Sequence, residues 1–125
     1  MSRDGVDRET DDLDPEDQKL VVLARGARGR AQSPSGAAVR DGDGRTYAGA
    51  DVATATLTLS ALQVAIVTAL SSGAESFEAA VVVAGAADDP GRATLAEISP
   101  DAAVIVTDAA GRVRARAGAA DPGGR

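Results

Sequence analysis

The sequence predicts an α/β fold of three layers, α/β/α, around a mixed sheet of about five strands. Three observations predict it. Residues 77–85, largely continuous in apolar residues with three consecutive valines, and the apolar run 102–107 have the pattern of strands covered on both faces. Residues 35–40 and 45–50 flank Asp41-Gly42-Asp43-Gly44, which reads as a β-hairpin closed by a Gly-rich turn. Helical patterns lie between these strands, where crossovers of a parallel sheet are needed.

In chain order, residues 1–13 are polar, acidic and aperiodic, and read as a disordered leader. Asp14-Pro15-Glu16-Asp17 is a helix start: an Asp cap, Pro at the first helical position and acids in the first turn. Leu20, Leu23, Ala24 and Ala27 share one face of that helix, with Val21 beside it. Arg25, Arg28 and Arg30 near its end suit the helix dipole as solvated cations better than they suit a phosphate grip. Asp-x-Asp-Gly in the hairpin turn has the opening of a calcium loop, but Arg45 stands where a further acid is required. Residues 58–72 form the strongest helical pattern, with Leu59, Leu62, Ile66 and Leu70 in one stripe, Ala65 and Ala69 beside it, and Gly73 as a stop. After the strand at 77–85, Asp88-Asp89-Pro90-Gly91 reads as a turn and entry to a short helix near 92–98. A strand at 102–107 follows, then a turn at 108–111. Residues 112–116 alternate Arg-Val-Arg-Ala-Arg, an edge strand whose charges block pairing with other edges. One domain over residues 14–116 is expected, and residues 117–125 read as a flexible tail.

Composition removes many functions. The 125 residues contain no Cys, no His and no Trp, with one Tyr and one Phe. Zinc, copper, haem and iron–sulfur ligand sets cannot be assembled in the usual way, and Ser-His-Asp and Cys-His catalysis are excluded. Of 55 apolar residues 28 are Ala and only 24 are Val, Leu or Ile, so the core is thin for its length. A homo-oligomer, dimer or tetramer, that completes its core at subunit contacts is therefore expected. The net charge of −6 is local: residues 1–19 hold eight acids against three cations, and the other 106 residues hold eleven acids against ten Arg. The near-neutral body has no field for nucleic acid or an anionic membrane, and Arg112, Arg114 and Arg116 read as edge protection rather than an RNA stripe. No apolar run reaches membrane-spanning length. The acidic start is unlike a secretory signal, and twelve Arg against one Lys with abundant Ala suggests a GC-rich bacterial genome. A cytoplasmic bacterial protein is expected.

Several stretches, taken in order, resemble the small homo-oligomeric cytidine deaminases. They are Ser35-Gly36-Ala37-Ala38-Val39, Asp43-Gly44-Arg45-Thr46-Tyr47-Ala48-Gly49, Leu59-Ser60-Ala61-Leu62-Gln63-Val64-Ala65-Ile66, Phe77-Glu78-Ala79, Leu95-Ala96-Glu97, Pro100-Asp101-Ala102-Ala103-Val104-Ile105-Val106 and Asp108-Ala109-Ala110-Gly111-Arg112-Val113. The resemblance spans roughly residues 16–114 and implies a cytidine deaminase-like fold. It also implies a zinc-dependent hydrolytic deamination, in which metal-bound water attacks cytosine C4 while a glutamate moves the proton. The family's Cys-Ala-Glu at the start of the central helix falls on Ser60-Ala61-Leu62. Its Pro-Cys-x-x-Cys falls on Ala87-Asp88-Asp89-Pro90-Gly91, so the two cysteine positions hold Asp88 and Gly91. Its ribose-binding Asn-x-Glu-Asn falls on Asp51-Val52-Ala53-Thr54, and no aromatic stands near Ser33-Pro34-Ser35 to pack on a base.

These departures make Ser60, Leu62, Asp88 and Gly91 a vestigial site, with no catalytic residue, no metal and no cofactor expected. Leu62 is expected to pack as core. Asp51 and Thr54 are candidate ligand-binding residues. The leading expectation is a cytidine deaminase-like protein without the zinc site or the proton shuttle, serving as a non-catalytic subunit, regulator or scaffold, alone or with an intact deaminase. The alternatives are a nucleoside or small-metabolite binding module in the old pocket, and a divergent deaminase. An enzyme of other chemistry would need Asp51 and Asp88 as a carboxylate pair or magnesium site, or Ser60 as a nucleophile with a base supplied from elsewhere in the fold.

Overall fold

Asp14 starts the first helix as the sequence predicts: its carboxylate accepts the Asp17 N–H at 2.9 Å, and Pro15 takes the first helical position. The computed structural model describes residues 13–121. This helix, α1, runs Pro15–Ala31 and buries Leu20, Val21, Ala24 and Ala27. Val21 rather than Leu23 completes that face, and Leu23 is 37% exposed. The hairpin follows as β1 (Gly36–Asp41) and β2 (Thr46–Ala50), with Val39 opposite Tyr47 and Gly36 opposite Ala50.

The Asp41 carboxylate closes that hairpin turn from within. Oδ1 accepts the N–H groups of Asp43 and Arg45, both at 2.9 Å, and Oδ2 accepts the Tyr47 hydroxyl at 3.3 Å. Burial pushes the carboxyl up, but the amides of Arg45 and Asp43 and the Tyr47 hydroxyl outweigh it, so it is held below the ordinary range. Among the described residues no group of three or more acids is placed to hold a metal.

Two short strands that periodicity cannot reveal come next, β3 (Val52–Ala53) and β4 (Thr58–Leu59), paired only with each other. The helix expected from residue 58 begins later. This helix, α2, runs Ala61–Ser71 and buries Ala61, Leu62, Ala65, Ile66 and Ala69. Leu59 lies in β4, outside the helix, and Leu70 is 36% exposed, so two of the four expected stripe residues are not on the buried face. Then follow β5 (Phe77–Val83), α3 (Gly91–Ile98), β6 (Ala103–Thr107) and β7 (Val113–Gly118).

The main sheet has the order β2-β1-β5-β6-β7. β1 is antiparallel to β2 and β5, β5 is parallel to β6, and β6 is antiparallel to β7, so the sheet is mixed. α2 carries the chain across β1 from β2 to β5, and α3 carries it from β5 to β6. Side chains alternate between two cores. Val39, Ala80, Val82, Val104 and Val106 face α2 and α3, while Ala38, Ala79, Val81, Val83 and Ile105 face α1. This is the expected three-layer α/β/α arrangement.

The folded body reaches beyond residues 14–116 at both ends. Leu13 is buried with the α1-side core, Ala117 and Gly118 extend β7, and Ala119 is buried beside α3. The rest of the expected leader and tail, 1–12 and 122–125, lies outside the described residues. Arg40 of β1 ties α1 to the neighbouring strand β5, donating to Asp17 at 3.1 Å and to Glu78 at 2.8 Å with its side chain 13% exposed.

Candidate functional site

The N-termini of α2 and α3 meet, and their junction contains three of the four positions singled out from the sequence. Ser60 is the N-cap of α2. Its Oγ accepts the Gln63 N–H at 3.1 Å, and Gln63 Oε1 accepts the Ser60 N–H at 2.9 Å, a reciprocal capping box. The Ser60 hydroxyl proton goes elsewhere, to Asp89 Oδ1 at 2.6 Å. The same Asp89 oxygen accepts the Gly91 N–H, the first amide of α3, at 2.7 Å. One carboxylate oxygen therefore ties the cap of α2 to the first turn of α3.

Leu62 fills the space beneath this clasp and is fully buried. Gly91 lies directly against it. A Cβ at position 91 would stand 2.8 Å from Leu62 Cγ and 2.9 Å from the Gln63 nitrogen, closer than ordinary packing allows. The two positions fit as a pair: the missing side chain at 91 is the room that Leu62 occupies.

Asp51 also serves the start of α2. Its Oδ1 accepts the Ala61 N–H at 2.9 Å, while Oδ2 accepts the Ser35 N–H at 2.7 Å and the Ser35 hydroxyl at 2.8 Å. Both oxygens are engaged within the chain, and the negative charge faces the positive end of the helix. Thr54 closes the turn between β3 and β4, its Oγ1 accepting the N–H groups of Thr56 and Leu57 at 3.2 and 3.0 Å. The structure thus joins Asp51 to the Ser60–Leu62 junction and leaves Thr54 out on an exposed turn.

Asp88 is exposed. It lines an open depression of about 600 Å³ with Asp89, Pro90, Arg92 and the alanines of α3 and of the segment after β7. Ser60, Leu62, Asp51 and Thr54 do not line it. Arg92 is fully engaged, donating to the carbonyl oxygens of Ala87, Gly118, Ala119 and Asp121 at 2.8–3.2 Å. Sequence reasoning missed Asp89. The available signal was its place two residues before Gly91 and directly before Pro90, where an Asp side chain caps a turn.

The family model described as cytidine deaminase-like matches residues 13–111. The chain belongs to the cytidine deaminase-like family. Among solved structures, the cytidine deaminase from Burkholderia pseudomallei superposes with a TM-score of 0.71 at 27% identity, over 86% of this chain and 97% of that one. The cytidine deaminase from Mycobacterium leprae gives 0.64 at 23% identity, over 82% and 93% of the two chains. That from Mycobacterium tuberculosis gives 0.62 at 23%, over 82% and 90%. A search of curated protein sequences finds no match.

Family resemblance implies zinc, and the residues here do not fit it. Zinc takes about four ligands of thiolate, imidazole or carboxylate at roughly 2.0–2.3 Å. Of the three positions that the resemblance aligns with zinc ligands, Gly91 has no side chain, Ser60 offers a hydroxyl already bonded to Asp89, and Asp88 alone carries an acid. Leu62, which the resemblance aligns with the family's glutamate, has a hydrocarbon side chain that neither accepts nor donates a proton.

Proposed function

We propose that this cytidine deaminase-like chain is a non-catalytic member of its family, a cytoplasmic homo-oligomer acting as a subunit, regulator or scaffold. The observation that carries the proposal is the fit of Leu62 against Gly91: hydrocarbon fills the position of the proton shuttle, at the expense of a ligand position. The Asp89 bridge supports it, because it holds together two helix ends that a metal would otherwise join. Assembly is supported by the thin core, since 28 of the 55 apolar residues are Ala and only 24 are Val, Leu or Ile. Association with an intact deaminase is the second form such a role can take, and capture from native lysate with no deaminase recovered counts against it.

The deciding experiment is metal content together with cytidine turnover on purified, untagged protein. The expected result is zinc far below one ion per chain and no uridine. Stoichiometric zinc, or uridine formation that a chelator abolishes, overturns the proposal and returns the chain to the divergent deaminases.

A further inference from the structure

The open depression beside Asp88 has a chemistry of its own. It holds about 600 Å³ between α3, the turn that leads into it and the segment after β7. Small-molecule sites take up roughly 300–1,000 Å³. Five alanines and Pro90 are six of the ten residues that line it, so its walls are mostly hydrocarbon. Ala93 and Ala96 stand three residues apart on one face of α3, and Ala119 and Ala120 line the same space from the segment after β7. Small side chains on both walls leave the room.

The polar lining is Asp88, Asp89, Asp121 and Arg92. Arg92 is spent on the protein itself. Four of its five N–H donors go to the carbonyl oxygens of Ala87, Gly118, Ala119 and Asp121, which pins the segment after β7 to α3. The carboxylates are not used up in this way. Asp88 makes no hydrogen bond or ion pair among the described residues. Asp89 Oδ1 and Asp121 Oδ2 accept from the chain, the latter from the Gly118 N–H at 3.1 Å, while the second oxygen of each has no such partner among the described residues. Three acids against one Arg give the depression a net −2. An anion would meet that charge with the guanidinium already committed. A metal ion does not fit either, since no three acids among the described residues are placed to hold one.

We propose that this depression binds an organic ammonium, a primary amine carried on a hydrocarbon body. The ammonium donates to Asp88, with the free oxygens of Asp89 and Asp121 adding attraction, and the hydrocarbon lies on the alanines of α3 and of the segment after β7. Ser60, Leu62, Asp51 and Thr54 do not line the depression, so the inference stands apart from the proposed loss of catalysis.

The test titrates phenethylamine, an ammonium at neutral pH, into the ¹⁵N-labelled full chain. The amides of residues 88–93 and 119–121 are expected to shift saturably, and those of β2, at the opposite sheet edge, to stay in place. Phenethyl alcohol, with the same body and no charge, is expected to bind about three-fold more weakly, the size of an exposed ion pair. Asp88→Asn is expected to cost phenethylamine the same factor of about three, and phenylpropionate is expected to leave the amides unmoved. The absence of a saturable shift, equal affinity for the amine and the alcohol, binding of the anion, or an unchanged affinity in Asp88→Asn overturns the proposal. So do shifts of these amides with protein concentration alone that the amine does not displace, which assign the depression to a contact between copies. If Asp88→Asn fails to fold, the comparison of the three probes on the native chain still decides.

Discussion

Gly91→Ala is the smallest perturbation that interrogates the junction. In an open helix the change stabilises by about 0.5–1 kcal/mol, because glycine loses more freedom on folding. Here the new Cβ would lie 2.8 Å from Leu62 Cγ, 3.0 Å from Leu62 Cβ and 2.9 Å from the backbone nitrogen of Gln63. Leu62 is fully buried, and a backbone nitrogen cannot rotate away. Overpacking of this kind costs about 1–3 kcal/mol, so a net loss of about 1–2 kcal/mol is expected. Urea denaturation should show the midpoint falling by roughly 0.5–1 M with an unchanged slope. Leu62→Ala alone should cost about 2–5 kcal/mol. The double variant should recover about 1 kcal/mol relative to the sum, because removing Cγ opens the space that the new Cβ needs. A neutral or stabilised Gly91→Ala, or strict additivity in the double variant, would refute the paired-fit argument.

Asp89→Ala strands the Ser60 hydroxyl and the Gly91 amide and should lower stability by about 1–3 kcal/mol. Combined with Ser60→Ala, whose lost cap costs about 0.5–2 kcal/mol alone, the loss should fall short of the sum, since the two share one bond; thermal melts of the four proteins measure this. Asp41 titrates below the ordinary value of 3.8, so its stabilising contribution is complete above that value and is lost as pH falls through the lower native one. Asp41→Asn should therefore flatten the acid limb of the Tm–pH curve as pH falls below the ordinary value of 3.8, and an unchanged limb would remove Asp41 from the account. Leu62→Glu should tilt the profile the other way. A carboxyl buried without a partner titrates above its ordinary value of about 4.3, so stability is expected to fall as pH rises from there, a slope the parent chain lacks.

What the sequence disclosed and what it hid divide along the range of the interactions. The hairpin was readable because Gly42 and Gly44 sit between two strand patterns, and β5 and β6 because unbroken Val/Ile runs have few other uses. The start of α2 was misplaced although its signal was present. Ser60 and Gln63 spell a capping box, but Leu59 continues the apolar spacing and drew the helix backward. The clasp was not readable at all. Asp89 reaches Ser60 across 29 positions, and Asp51 reaches Ser35 across 16, so no local pattern marks either bond. The residue types at positions 60, 62, 88 and 91 were legible, but the fit of Leu62 against Gly91 and the bridging carboxylate of Asp89 needed the geometry.

On the proposed reading, the residues at positions 60, 62, 89 and 91 behave as one unit. A larger residue at 91 meets Leu62, so a cysteine cannot return there while the leucine remains. A glutamate at 62 would sit in a fully buried position at a junction that already holds the carboxylates of Asp89, bridging Ser60 and Gly91, and Asp51, on the Ala61 amide, which add like charge. A thiolate at 60 would lose the hydroxyl proton that now satisfies Asp89, setting two anions against each other at the hydrogen-bonding distance of 2.6 Å. Each single reversal therefore costs stability before any metal can repay it. On the proposed reading, the junction is held by packing and hydrogen bonds that oppose the residue types the resemblance aligns with zinc ligands, so metal chemistry here would require positions 60, 62, 88, 89 and 91 to change together.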